Sequence, residues 1–93
     1  MSMKEYHIEI SPDAERDIKD LKSKLKNLND LVVAIDELST NPRPYGVRKV
    51  KGFSTTFRVR FLSYRIIYDI YDKDKKIIIL RIIKRDKSTY KFI

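Results

Sequence analysis

The chain has 93 residues, 42% of them hydrophobic, enough for one domain with a modest core and too many for wholesale disorder. With no Cys and a single His it offers no disulfide, no thiolate nucleophile and no Cys- or His-rich metal site. The net charge of +8 is uneven: residues 1–42 hold six Lys/Arg against nine Asp/Glu, residues 43–93 fifteen against four. A positive excess confined to one half suits a polyanion such as nucleic acid, or an acidic protein partner.

The segment "KEYHIEI" (4–10) alternates Tyr6, Ile8 and Ile10 with Glu5, His7 and Glu9, which predicts a strand. Ser11-Pro12 then supplies an N-cap and a proline at the first helical position, with Asp13 and Glu15 where the helix dipole favours anions. Ala14, Ile18, Leu21, Leu25 and Leu28 recur at helical spacing and form one apolar stripe. Asn27 marks an end for this helix, and Asn29 or Asp30 a cap for a second one carrying Leu31, Val32, Ile35 and Leu38. The second helix stops before "STNPRP", where Pro42 cannot continue it. So short a connection predicts an antiparallel helical hairpin.

From Tyr45 onward the period changes to two. Strands are expected near 47–51, 56–62, 64–71 and 76–84, with Gly46 and Gly52 in the breaks and "DKDK" (72–75) as a turn. The order is β-α-α-β-β-β in a single domain spanning 1–93. Its fold class is α+β, a small, curved, mainly antiparallel sheet packed on an N-terminal helical hairpin. No apolar run approaches the roughly 20 residues of a membrane span, and the N-terminus lacks a signal-peptide core. A soluble, cytoplasmic protein without membrane, metal or cofactor is expected.

The block "TTFRVRFLSYRIIY" (55–68) sets arginines at alternate positions of what otherwise reads as core strand. Alternation sends Phe57, Val59, Phe61, Tyr64, Ile66, Tyr68 and Ile70 toward the helices, with Arg58, Arg60 and Arg65 on the other face. On the last strand it sends Ile78, Leu80 and Ile82 inward, with Arg81, Ile83 and Arg85 outward. A tight turn between the first two of these strands pairs Arg60 with Ile67 and Arg58 with Asp69. Five arginines would then share one open face. Guanidinium groups grip phosphate oxygens in a two-pronged fork and stay charged at any usable pH, so such a face fits a phosphate backbone. Beyond Arg85, Tyr90 and Phe92 add rings; Tyr90 is as well suited to stacking on a base as to a bland role, whereas Phe92 reads as core.

The chain also resembles the RelE/ParE toxin superfamily, and within it the RelE-type mRNA interferases. The resemblance rests on "YHIEISPDAERDIKDL", "LSTNPRP", "VRKVKG", "FRVRFLSYRIIYDI" and the Arg85…Tyr90 ending, and spans nearly the whole chain. It implies the fold expected above. It also implies a toxin of a type II toxin–antitoxin pair, a metal-independent endoribonuclease that cuts mRNA in the ribosomal A site. There the 2′-hydroxyl of one nucleotide attacks the adjacent phosphate. The partners it implies are a RelB-like antitoxin, the ribosome and mRNA. By position, the family's working residues fall on Arg58 and Arg60, Arg65, Arg85 and Tyr90, with Lys51 at a further RNA-contacting position. Arg60, Arg65, Arg85 and Tyr90 are thus the catalytic candidates, and Lys51, Arg58, Arg81 and Lys84 the candidate RNA contacts.

One departure stands out. RelE-type patterns carry Lys at both positions of the basic pair, where one Lys is a candidate general base. Arg58 and Arg60 do not deprotonate and cannot take that role. Tyr90, Asp69 and Asp86 are the remaining candidates. The alternatives are a ParE-like, gyrase-poisoning toxin and a catalytically weak RNA-binding member of the same fold.

Overall fold

A computed structural model describes residues 5–24, 26 and 28–85. Along the chain it contains β1 (His7–Ile10), α1 (Pro12–Lys22), α2 (Leu28–Glu37), β2 (Arg48–Lys49), β3 (Thr56–Phe61), β4 (Tyr64–Tyr71) and β5 (Lys76–Lys84). The five strands form one sheet in the order β1-β5-β4-β3-β2. Strands β2 to β5 are an antiparallel meander, while β1 runs parallel to β5. The architecture is α+β in the expected element order.

Helix α1 starts as its sequence dictates. The Ser11 hydroxyl accepts from the Ala14 N–H at 3.1 Å, Pro12 opens the first turn, and Asp13 and Glu15 follow. The helix ends sooner than its apolar stripe suggests, at Lys22. There the Ser23 hydroxyl donates to the Asp20 carbonyl, a local bond of the kind that competes with helix continuation. Leu28, expected on the α1 stripe, opens α2 instead, and Asn29 and Asp30 lie inside the first turn of α2 rather than before it. Leu25 and Asn27 lie outside the described residues. Ala14 and Leu21 of α1 join Leu31 and Ile35 of α2 and Leu38 in one buried cluster with Ile66, Tyr68, Ile70, Ile77, Ile79 and Ile82 of the sheet. Helix α2 also leaves Val32 and Val33 half-exposed.

Two details of register depart from simple alternation. The β3–β4 register is shifted by two residues from the expected one: Phe61 pairs with Tyr64, Arg60 with Arg65, and Arg58 with Ile67. A shift of two keeps every side chain on its expected face but brings two arginines directly opposite each other. Leu62, at the tip, takes a left-handed φ of 53° to close the turn. The second departure is a bulge. Ile67 pairs with Arg81 and Tyr68 with Ile79, leaving Leu80 without a partner in β4. The bulge reverses the expected parity of the first half of β5. Ile77 and Ile79 enter the helix-side core, where Ile78 and Leu80 were expected; Ile82 enters as expected.

Strand β1 pairs with β5 only as far as Ile79, so the β5 edge is open from the bulge onward. Helix α1 covers it. The Ser11 N–H donates to the Ile79 carbonyl and its hydroxyl to the Leu80 carbonyl, each at 3.0 Å. One turn and a half further on, the Asp17 carboxylate accepts the Ile82 N–H at 2.8 Å and two bonds from the Arg81 guanidinium. Asp17 thereby satisfies an edge amide and neutralises a strand arginine with one side chain. Asp17→Ala, which removes this shared acceptor, is expected to destabilise the fold by about 1–3 kcal/mol. Urea titration checks this as a lower midpoint at unchanged slope.

Candidate nucleic-acid interface

Alternation across the meander places Arg58 and Arg60 of β3 and Arg65 of β4 on the face opposite the helices. Their strand neighbours Phe57, Val59, Phe61, Tyr64 and Ile66 belong to the helix-side core. Strand β2 adds a fourth member, because Arg48 pairs with Arg58. The result is a two-by-two array: Arg48 opposite Arg58, and Arg60 opposite Arg65. Directly opposite residues lie within about 4.5–5.5 Å at Cβ, so the array is denser than one strand could make it. All four line a single open cleft of about 420 Å³, together with Tyr45, Gly46 and Val59.

The array does not stand on a polar surface alone. Ile67 and Ile83 alternate to the arginine face and yet are buried, as is Val50, two residues past Arg48. The Nε atoms of Arg58, Arg65 and Arg85 are also shielded from solvent. Partial burial of guanidinium stems against apolar neighbours fixes the charged heads in direction, a condition for gripping phosphate rather than merely attracting it.

The cleft's outer wall is the loop between α2 and β2, and that loop is tied down at several points. Arg43 grips the Asp72 carboxylate with two bonds, at 2.9 and 3.3 Å, and stacks over the Phe57 ring at 5.2 Å. The Tyr6 hydroxyl donates to the same carboxylate at 2.7 Å. Arg43 first, and Tyr6 second, hold the Asp72 carboxyl below its ordinary range. The bond to Asp72 in turn raises the Tyr6 hydroxyl. Tyr68, fully buried and pushed upward by that burial, donates to the Pro42 carbonyl at 2.7 Å. A turn closed by the Val47 N–H on the Pro44 carbonyl, at 3.0 Å, then carries Tyr45 and Gly46 to the cleft. Gly46 has φ of 89°, which a side chain would resist.

The expected site residues divide as follows. Arg58, Arg60 and Arg65 converge on the cleft. Arg85 follows β5 and is tied by its N–H to the Ser63 carbonyl at 2.8 Å, beside the β3–β4 turn and outside the cleft lining. Arg81 is engaged by Asp17, so its charge is already compensated within the fold. Lys84 is exposed opposite Tyr64, its ammonium 5.9 Å from the Tyr64 ring centre. Lys51 is exposed in the turn after β2 and does not line the cleft. Tyr90 and Asp86 lie outside the described residues. Asp69, a candidate base, accepts from the hydroxyls of Thr55, Thr56 and Tyr71 at the opposite end of the face. Among the described residues no three His, Cys, Asp or Glu gather closely enough to hold a metal ion, and no helix is long and apolar enough to cross a membrane.

Two cleft residues escape a reading of the sequence. Arg48 does so because β2 is only two residues long, and its face is known only once its pairing with Arg58 is known. Tyr45 does so because it lies outside any strand, so no periodicity bears on it. Its one signal is a Pro-Tyr-Gly tripeptide, a turn that presents a ring.

This small mixed sheet, with basic side chains opposite two helices, is matched by known proteins in sequence and in structure. Residues 8–88 match the family described as the ParE toxin of the type II toxin–antitoxin system parDE. The chain therefore belongs to that family and is a type II toxin of the RelE/ParE superfamily. It is 36% identical over 90 residues to a Methanocaldococcus jannaschii chain that carries the toxin name RelE1, covering 92% of this chain and 96% of the relative. Among solved structures it is similar to the Mycobacterium tuberculosis RelBE2 toxin–antitoxin complex (TM-score 0.73, 28% identity, 90% of this chain and 95% of that one). It is likewise similar to the Pyrococcus horikoshii RelE–RelB complex (TM-score 0.72, 30% identity, 88% and 97%).

The Asp72 junction makes a pH prediction. A carboxyl held low in the native state contributes stability that is complete above its unfolded pKa of about 3.9 and is lost as pH falls through the native value. Asp72→Asn is expected to lower the urea midpoint at pH 7, with the gap to the unaltered protein closing below about pH 4. A gap of constant size down to pH 2 would show that the carboxylate's charge is not what anchors the loop.

Proposed function

We propose that this toxin is a ribosome-dependent endoribonuclease that cleaves mRNA in the A site and so inhibits translation. The observation that carries this reading is the convergence of Arg48, Arg58, Arg60 and Arg65 on one cleft of nucleotide size. In the reaction the 2′-hydroxyl loses its proton and its oxygen bonds to the adjacent phosphorus. The bond from phosphorus to the 5′-oxygen then breaks, and that oxygen takes up a proton. The products are a 2′,3′-cyclic phosphate and a 5′-hydroxyl. Negative charge builds on the phosphate oxygens along this path, and cations already in place stabilise it more than they stabilise the ground state. Arg65, facing Arg60 across the hairpin, clamps the scissile phosphate. Arg85 supplies further charge stabilisation from the turn end of the sheet, and Tyr90 orients the nucleotide. Lys84 and Lys51, exposed on the flanks, extend the positive field along the RNA, whereas Arg81 is occupied by Asp17.

The natural ligand of the same face in the absence of RNA is an acidic antitoxin. The complexes from M. tuberculosis and P. horikoshii support a RelB-like partner for this chain as well. A second reading is favoured by the description of the matching family, which is that of ParE. In it the basic face serves DNA gyrase rather than RNA.

Purified toxin added to programmed ribosomes is expected to cut mRNA at A-site codons and leave 2′,3′-cyclic ends. Arg65→Ala and Arg85→Ala, with unchanged circular dichroism, are each expected to slow cleavage by about 10²-fold or more. Absence of cleavage together with inhibited gyrase supercoiling would replace this reading with the second. Full activity in both variants would remove the assignment of the site.

A further inference from the structure

Resting on the RNA reading above, we infer that Tyr45 is a stacking platform for a nucleobase, placed so that the base is read beside the phosphate the arginines grip. The ring is fully solvent-exposed, at 103% of its reference area, on a loop that is otherwise firmly held. Arg43 on Asp72, Tyr68 on Pro42 and the Pro44–Val47 turn fix the backbone on both sides of it. A tyrosine with no burial contributes nothing to the core, yet the fold pays for a left-handed Gly46 to present it. It faces the cleft lined by Arg48, Arg58, Arg60 and Arg65. Cations bind the backbone of a single strand whatever its sequence, and an adjacent ring binds the face of an unpaired base. The combination is what a single-stranded nucleic acid demands and what a protein helix or a duplex does not, since duplex bases are stacked on each other.

The chain has no Trp, so Tyr45→Trp places a single tryptophan, selectively excited over the remaining tyrosines, at the proposed platform. Short single-stranded RNA is expected to quench it, and an abasic oligonucleotide of the same length and charge to quench it far less. Tyr45→Ala is expected to weaken RNA binding roughly 5- to 150-fold. The salt dependence should stay unchanged, because no charge is removed. Binding of the abasic strand should not change either, and Tyr45→Phe should retain RNA affinity. Equal losses for RNA and abasic strand, or a Trp signal indifferent to bases, would overturn the inference. That failure is distinguishable from failure of the RNA reading itself. In the latter case Arg58→Ala and Arg65→Ala would leave RNA binding unaltered too.

Discussion

The register between β4 and β5 is the constraint from which the rest follows. Leu80 has no pairing residue in β4, and that one bulged position decides which isoleucines of "KIIILRIIK" enter the core and which back the arginines. With the bulge in place, Ile77, Ile79 and Ile82 meet the helices, while Ile83 sits opposite Arg65 on the other face. A slip of one residue would exchange these sets and bury charge. Register is ordinarily fixed by a turn or by burial; here Ser11 and Asp17 add polar pins. They bind Ile79, Leu80, Arg81 and Ile82 in succession, so that α1 reads the strand edge almost residue by residue. The acidic N-terminal half and the basic C-terminal half of the chain meet at this seam.

A sheet face built this way accepts an electrostatic penalty. Like charges directly opposite each other on neighbouring strands are destabilising by about 0.2–1 kcal/mol per pair, and here Arg48 faces Arg58 while Arg60 faces Arg65. Burial of Ile67, Ile83 and Val50 beneath the same face contributes in the opposite direction, at about 25 cal/mol per Å² of apolar surface. The face is therefore an apolar-backed platform on which like charges are crowded, and on the reading proposed above a polyanion would relieve that crowding. Lysines would relieve it differently, by losing protons or swinging apart; arginines can do neither as readily.

Much of this was legible in the sequence, and the exceptions are instructive. The N-cap of α1, the proline stop after α2 and the period-two pattern from residue 45 onward are local signals, and local structure obeyed them. The sharing of a face by Arg58, Arg60 and Arg65 was legible for the same reason, because a two-residue error in the hairpin does not change sides. Parity in β5 was not legible, since a run of three isoleucines and a leucine has no alternation from which to locate a bulge. Arg48 went unnoticed and the pairing of Arg81 was not foreseen, each because it depends on a contact distant in sequence. The first gains its position from Arg58 and the second finds its partner in Asp17, 64 residues away.

The choice of Arg over Lys bears on chemistry as well as on stability. Of the described residues lining the cleft, only arginines and Tyr45 can ionise at all, and a guanidinium neither accepts nor gives up a proton at usable pH. The positive field in the cleft is thus constant across the physiological range. For the proposed transesterification this separates two tasks that a lysine pair would merge: holding the phosphate and taking the proton from the 2′-hydroxyl. The first belongs to the cleft. On that proposal the second task would fall to a group outside the described cleft lining, and dependence on the ribosome would follow from the site's composition. On the same proposal, a cleft that cannot take up a proton unaided would stay inactive until its substrate complex assembles around it.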